Sequence, residues 1–171
     1  MKSSLKQVTL LDWVGIAIAF ILTGLSIYKV FEIKRQQAQE SPPAYLVMDS
    51  KQVAVLEVQS SFSEQAKGLA GRSTLLEGEG MLFPISPPRK VKVWMKDVAF
   101  PIDIIFLRNN KIVSIVNNAP PCINTRCQLY EPNTLVDAVI ELPVGQAQKL
   151  HLHAGTAISI KQTQPLSGPK R

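Results

Sequence analysis

A single acidic residue, Asp103, lies inside an apolar run that is patterned like a buried β-strand. The run spans residues 102–107 and reads IDIIFL. An unpaired charge on a buried strand face costs a large amount of free energy, so this carboxylate must be paired or protonated. Lys96 and Arg72 are the candidate partners. The sequence therefore predicts either an internal ion pair that fixes a strand crossing or a polar cluster that lines a pocket.

Further residues extend this cluster into a candidate ligand pocket. Trp94 and Lys96 share one face of a predicted strand, because side chains alternate between the two faces. Gly78 and Gly80 predict a turn, after which Met81 begins another strand. Tryptophan and methionine would supply apolar contact, a cation would hold an anionic group, and the acid would fix the position of that cation. We predict that the pocket is lined by Arg72, Met81, Trp94, Lys96 and Asp103.

A basic cluster comes directly before this region. Arg89, Lys90 and Lys92 alternate with valines, which is typical of the solvated face of a strand. The alternative is a docking face for an anionic lipid or an acidic partner. Because only Trp94 lies close by, stacking aromatics are too few for nucleic-acid binding, and we predict none.

The sequence shows no established metal or catalytic signature. His151 and His153 would share one strand face, which is a spacing that metal sites use, but no carboxylate or third histidine is near them. We interpret them as surface histidines and predict no metal and no cofactor. A Gly-x-Ser-x-Gly elbow, a glycine-rich phosphate loop and a His-Glu-x-x-His motif are absent from the sequence. No catalytic residue is therefore assigned.

The only two cysteines, Cys122 and Cys127, are separated by four residues. This spacing allows a small disulfide loop, and such a bond persists outside the reducing cytosol. A zinc site would need more thiol or imidazole ligands at matching spacings. A pair of reduced cysteines is the remaining alternative. We favour the disulfide, and with it a domain on the periplasmic or extracytoplasmic side.

Period-two alternation dominates the middle of the chain and predicts a mainly β (α+β) fold. Asn109-Asn110 is a tight-turn signal and predicts a hairpin. One short helix is expected at about residues 63–70, after a serine and with Glu64 in its first turn. We predict a small curled sheet or barrel with this one helix packed on it. The expected strands span residues 53–58, 91–96, 102–107, 111–116, 137–142, 150–152 and 157–161.

The N-terminal segment is apolar and predicts a transmembrane helix. Residues 13–28 carry no charge, and Trp13 and Tyr28 lie at the two ends of this run, where amphipathic rings prefer the membrane interface. A cleaved signal peptide is less favoured, because the sequence that follows is a poor cleavage site. A buried core helix is the third interpretation. Basic residues flank both ends, so their numbers do not decide the orientation.

The chain therefore divides into four predicted segments. A membrane anchor occupies residues 1–33, with the span at about 10–31. A polar linker follows over residues 34–44 and ends in a proline pair. The folded domain covers residues 45–161, and residues 162–171 form a flexible tail.

The order of several motifs resembles a known family. Gly-Met-Leu-Phe at residues 80–83, Trp-Met-Lys at 94–96 and Ile-Asp-Ile at 102–104 follow a Glu-Gln pair and Arg72 in the order typical of bacterial and archaeal "domain of unknown function 192" proteins. The likeness spans about residues 53–145. The resemblance implies a compact β-rich fold with one helix, commonly behind an export signal or anchor. It implies no activity, because none is assigned to the family.

Three positions depart from the family's pattern. This chain has Ala70 where the family typically has methionine, and Asp97 and Val98 where it typically has asparagine and threonine. The acid adds a charge beside Lys96. If the family uses that amide in a site, the site is altered in this chain.

Three functional hypotheses follow. The first is a membrane-anchored, extracytoplasmic binding or accessory domain that uses the pocket to hold a small molecule or a protein partner. The second is an envelope hydrolase in which Asp103 is the acid or base and Lys96 is its electrostatic partner; it requires Asp103 in an open cleft. The third is a structural or interaction protein that docks through the basic cluster.

Overall fold

The computed structural model describes residues 10–37, 41–122 and 126–162. The chain divides into two compact units, Met1–Glu40 and Ser41–Arg171. The boundary falls inside the predicted linker. Except for Gln162, the predicted tail lies outside the described residues.

The described part of the first unit is one helix, α1 (Leu10–Gln37). The predicted helix is therefore present, and it extends into the segment predicted as a linker. Within the described part of the chain, no helix combines the length and the hydropathy that a membrane span requires. The membrane-spanning part of the prediction is thus not supported.

The second unit is mainly β, as predicted. Its elements are β1 (Ala44–Met48), β2 (Lys51–Val58), α2 (Phe62–Lys67), β3 (Glu79–Arg89), β4 (Val93–Trp94), β5 (Ile102–Arg108), β6 (Lys111–Ala119), β7 (Leu129–Tyr130), β8 (Val136–Pro143), α3 (Gln146–Lys149) and β9 (Ser159–Gln162). Seven strands form one sheet in the order β6-β5-β8-β3-β2-β1-β9, and β4 and β7 pair separately. Pairing is antiparallel except between β2 and β3.

The large sheet is not closed, so the barrel alternative is wrong. Its edge strands are β6 and β9, and β9 pairs only with β1 among the described strands. The two edges meet at one bridge, between Lys111 and Ala157, beside a hydrogen bond of 2.9 Å from Ile112 N to Thr156 O. Because β9 is four residues long and begins after this bridge, no continuous ladder joins the edges.

Local signals explain several element boundaries. Asn109 and Asn110 both have positive φ, at 50° and 57°, which confirms the predicted hairpin between β5 and β6. Helix α2 begins after a capping box between Ser61 and Glu64 and ends at Lys67, earlier than predicted, because Gly68 caps it. The strand predicted at residues 150–152 is wrong. A turn that follows the short helix α3 occupies residues 150 and 151, and the described part of the unit contains two short helices where one was predicted.

Each face of the sheet carries its own apolar core. The first core contains Leu56, Leu82 and Ile140, and the second contains Met81 and Ile104. Neighbouring residues of a strand therefore belong to different cores, as the alternation of a pleated sheet requires. Asp103 near the start of β5 and Glu141 on β8 are both buried, although they occupy different faces.

Gly80 is required where the strands approach closely. A Cβ atom at this position would lie 2.6 Å from Leu56 Cδ2 and 2.8 Å from Leu142 Cδ2. Gly78, two residues earlier, has φ of +82° in the turn before β3. The predicted turn is therefore confirmed, and glycine is needed at each position for a different reason.

Asp103 lies on the face of the first core, where it is 1% exposed. Its Oδ1 accepts a hydrogen bond of 2.9 Å from the backbone N–H of Asn118, and its Oδ2 accepts one of 2.9 Å from that of Ala147. The predicted ion pair with Lys96 or Arg72 is therefore wrong, because two backbone amides satisfy this carboxylate. Through these two hydrogen bonds, Asp103 connects β6, at a point where its pairing with β5 is irregular, to the first turn of α3.

We expect the Asp103→Ala variant to be destabilised by roughly 3 kcal/mol, because it leaves two backbone amides without a partner. Asp103→Asn should be destabilised less, since its amide oxygen still accepts one of the two bonds. The free energy of unfolding in urea is the measurement. Glu77→Ala is the control, because this acid lies in an exposed ion pair with Lys149 and should change stability by less than about 1 kcal/mol. Equal stabilities for Asp103→Ala and the control would contradict this role.

Candidate functional site

A pocket of about 480 Å³ opens on the face of the second core. Apolar side chains form much of its wall, among them Leu69, Phe83, Trp94, Val98 and Val139. Five cationic residues also line it, namely Lys67, Arg89, Lys90, Lys92 and Lys96. The lining acids in the described chain are Glu131 and Glu141. The pocket thus combines an apolar wall with an excess of positive charge.

Helix α2 forms one side of the pocket and is fixed to the sheet by Gln65. Its side-chain amide donates hydrogen bonds of 3.0 Å to the carbonyl oxygens of Gln59 and Pro84. The capping box at Ser61 satisfies the first turn of the helix. These contacts therefore fix the end of the helix, so that Lys67 and its capping residue Gly68 line the pocket.

The small β4–β7 sheet forms another side of the pocket, which Val93 and Trp94 of β4 line. Val93 pairs with Tyr130, and Trp94 pairs with Leu129. Tyr130 is buried, whereas Trp94 is 55% exposed. An aromatic side chain that is left exposed beside a pocket is available for contact with a ligand.

The predicted disulfide between Cys122 and Cys127 is confirmed, and it lies next to this side of the pocket. The backbones of Lys96 and Cys122 form an isolated parallel β-bridge, and Asp97 N donates a hydrogen bond of 3.2 Å to Cys122 O. The cross-link therefore joins the strand segment that contains Lys96 to the residues that lead into β7.

Asp97 itself contributes its backbone conformation to this turn. Its φ is 60°, a region that asparagine and aspartate enter more readily than other non-glycine residues. Its side chain is exposed and does not line the pocket. The exchange of asparagine for aspartate relative to the family pattern therefore preserves the turn and adds no acid to the pocket lining.

Glu141 is a buried acid that faces the pocket. It lies on β8, with Met81 of β3 on one side and Ile104 of β5 on the other, and it is 7% exposed. No group in the described chain donates a hydrogen bond to its carboxyl, and burial raises the pKa of Glu141 to about 8. The positive charge of Arg72 opposes part of this rise. Glu141 is therefore largely protonated and neutral at pH 7.

Arg72 is engaged outside the pocket. Its guanidinium forms an ion pair with the carboxylate of Glu57, which lies on β2 opposite Met81. Burial alone would raise the pKa of Glu57, but hydrogen bonds from Arg72 and Gln59 hold it below its ordinary value. Glu57 is therefore ionised and paired, while Glu141, about two strand spacings or roughly 10 Å across the sheet, is neutral.

The structure brings together two of the five residues predicted for the pocket. Trp94 and Lys96 line it. Arg72 lies near enough to influence Glu141 but pairs with Glu57, and Met81 is fully buried beneath the pocket in the second core. Asp103 lies on the opposite face of the sheet, because it is adjacent to Ile104 and side chains alternate.

Glu141 is the residue that the sequence-based prediction missed. It lies in the run Val139-Ile140-Glu141-Leu142, which is a lone acid in an apolar strand and thus the same signal that singled out Asp103. Applied evenly, this signal identifies both acids. It does not say which of them has backbone partners and which faces a cavity.

Comparison with known proteins identifies a family and a fold. The family model of DUF192, described as an uncharacterized ACR, matches residues 44–160, which is more than half of the chain. No match was found among curated proteins.

Two crystal structures resemble the folded unit. One is from Sinorhizobium meliloti 1021 and is described as a "putative transcription regulator"; it is 25% identical, covers 70% of this chain and 92% of its own, and has a TM-score of 0.61. The other is a protein of unknown function from Novosphingobium aromaticivorans DSM 12444, which is 30% identical, covers 68% of this chain and 83% of its own, and has a TM-score of 0.59.

We expect the buried acid to make stability depend on pH. Because the pKa of Glu141 is raised on folding, the folded state retains a proton that the unfolded state releases above about pH 4.5. Stability should therefore fall from about pH 4.5 to pH 8, by up to about 5 kcal/mol. Glu141→Gln is neutral at every pH and should lack this component. The measurement is the difference between the two urea-unfolding free energies from pH 5 to 8.5, and a difference that is independent of pH would contradict an ionisable, buried Glu141.

We expect the Cys122→Ser/Cys127→Ser variant to lose about 2 kcal/mol of stability, as the closure entropy of so short a loop implies. Urea unfolding of the oxidised protein, the reduced protein and the variant measures this loss. The reduced protein and the variant should agree. If all three unfold at the same urea concentration, the cross-link does not stabilise this side of the pocket.

Proposed function

Because the chain belongs to the DUF192 family, to which no activity is assigned, we propose a function from the pocket itself. The domain binds a small organic anion and performs no chemistry on it. The observation that supports this proposal is the juxtaposition of five cationic residues with an apolar wall in a pocket of about 480 Å³.

The charge of the pocket favours anions. Arg89 and Lys90 are exposed and have no ion-pair partner among the described residues, and Lys92 has only a long contact of 3.8 Å with Glu131. Since Glu141 is neutral, it does not offset this positive charge. Positive groups at the mouth of a cleft with low-dielectric walls attract anionic ligands and increase their rate of association.

The wall of the pocket favours an organic ligand over an inorganic ion. Trp94 and Phe83 supply aromatic surface, and Val98 and Val139 supply aliphatic surface. A ligand with an apolar body would remove this surface from water, at about 25 cal/mol per Å². A few polar groups at the edge of a mostly apolar cavity are typical of sites for small molecules.

The position of Asp103 does not support the hydrolase hypothesis, in which this residue is the acid or base. That hypothesis required Asp103 in an open cleft, whereas that carboxylate is 1% exposed and accepts two backbone hydrogen bonds. The docking hypothesis uses Arg89, Lys90 and Lys92, which line the pocket and are therefore assigned here to ligand capture.

We place the domain in an extracytoplasmic compartment. The disulfide between Cys122 and Cys127 supports this location, because such bonds persist mainly in oxidising environments.

We expect the wild-type protein to bind arylsulfonates, which are anionic at every pH and have an apolar ring. The Arg89→Glu/Lys90→Glu variant should bind at least about tenfold more weakly at low salt, because it reverses two charges at the pocket. Isothermal titration calorimetry measures the affinity. The fluorescence of Trp94 in a Trp13→Phe background reports whether the ligand contacts this side chain.

Lys51→Glu/Lys161→Glu is the matched control, since it makes the same change in net charge at exposed residues that do not line the pocket. The affinity of this control for the arylsulfonate should be within about twofold of the wild-type affinity. Added salt should weaken binding by the control and by wild type to a similar extent. Equal losses in the two double variants would mean that net charge, and not the pocket, attracts the anion. Failure of every arylsulfonate to bind the wild type would refute the proposal.

A further inference from the structure

The protonated carboxyl of Glu141, we propose, donates a hydrogen bond to a carbonyl oxygen of the bound ligand. The pocket then selects organic anions that have an uncharged carbonyl group at the end away from the negative charge. This inference rests on the proposed function and specifies the class of ligand.

The carboxyl of Glu141 has no hydrogen-bond partner among the residues that the structure describes. Met81 and Ile104 flank it on the neighbouring strands, and Val139, two residues earlier on β8, lies on the same face. Ile104 and Val139 have no hydrogen-bonding atom in their side chains, and the thioether of Met81 is only a weak acceptor. Among the described residues, no backbone group bonds to the carboxyl either, although the residue lines the pocket. A buried polar group of this kind is satisfied only by what enters the cavity.

The surrounding charges decide which ligand group suits this carboxyl. An amine would pair with the ionised form of Glu141, but a cation must first pass the cationic residues at the pocket. A second carboxylate on the ligand would bring a negative charge into the buried part of the site, where burial already keeps Glu141 neutral. A carbonyl oxygen accepts the hydrogen bond and introduces no charge into the apolar part of the site.

Charged residues of several neighbouring elements line the pocket with Glu141 or lie near it, and Arg72 is the one whose charge influences its pKa. These charged residues are Glu57 on β2, Lys67 on α2, Arg72 after α2, Arg89 at the end of β3, Lys90 and Lys92 before β4, Lys96 after β4, and Glu131 after β7. Arg72 favours the ionised form, but its ion pair with Glu57 weakens that influence. Burial outweighs it and raises the pKa of Glu141 to about 8. The donor is therefore present at pH 7 and is lost as the pH rises above 8.

The experiment compares two sulfonates that differ only at the far end of the ring. 4-Acetylbenzenesulfonate has a carbonyl group next to the ring, and 4-ethylbenzenesulfonate has a methylene in place of that group. Wild-type protein at pH 7 should bind the acetyl compound about tenfold more tightly, which is the effect of one hydrogen bond to a buried donor. This preference should fall as the pH rises from 8 to 9.5, whereas both sulfonates keep their charge.

Three variants test the role of the carboxyl. Glu141→Gln keeps a neutral donor, so it should retain the preference and lose its dependence on pH. Glu141→Met has a similar size and no donor, so it should bind both compounds equally. Glu77→Gln removes an exposed acid that does not line the pocket and should behave as wild type.

The outcomes separate this inference from the proposed function. Equal, pH-independent binding of the two sulfonates by wild type, together with weakened binding by Arg89→Glu/Lys90→Glu, overturns the role of Glu141 and leaves the anion pocket intact. Failure of wild type to bind either sulfonate overturns the proposed function itself. A preference at pH 7 for 4-(aminomethyl)benzenesulfonate overturns the inference, because it shows that the carboxyl is ionised.

Discussion

A buried carboxyl group must be hydrogen-bonded, paired or protonated, and this constraint governs the centre of the sheet. An apolar core lies on each face of the sheet, so at the positions of Asp103 and Glu141 neither face leads directly to bulk water. Asp103 and Glu141 lie on neighbouring strands but on opposite faces, and the two meet the constraint in different ways. Asp103 accepts two backbone hydrogen bonds. Glu141 retains its proton and faces a cavity.

The difference between the two acids follows from what packs over each face. Beside Asp103 is an irregular part of the neighbouring strand β6, and close to it is the first turn of α3; each donates one backbone N–H to its carboxylate. Over Glu141 lie side chains from α2 and from the segment that contains β4, and these leave a space instead of a donor. The cross-link at Cys122 and the capping box at Ser61 hold the two sides of that space. The pocket thus depends on this disulfide and this capping box as much as on the sheet beneath it.

Much of the fold is predictable from the sequence, because its signals are local. The hairpin at Asn109-Asn110 and the start of α2 at Ser61 are both specified within four residues. The partners of Asp103 are not predictable in this way, since Asn118 and Ala147 are 15 and 44 residues away and contribute backbone groups, which composition does not reveal. The predicted strand at residues 150–152 failed for a related reason. Three alternating residues are too few to distinguish a strand from the turn that follows α3.

The candidate site was predictable only in part, and the missing part is a matter of which face a residue occupies. Trp94 and Lys96 were identified as one surface because they are two residues apart on a strand, and both line the pocket. Joining them to Asp103 required knowing the register between β5 and its neighbours, and a shift of one residue exchanges the two faces. In the observed register, Glu141 is opposite Ile104, and Asp103 is opposite Leu142. The strand register and the cores on the two faces therefore decide which acid reaches the cavity, and because that acid is neutral it adds no negative charge to the pocket wall.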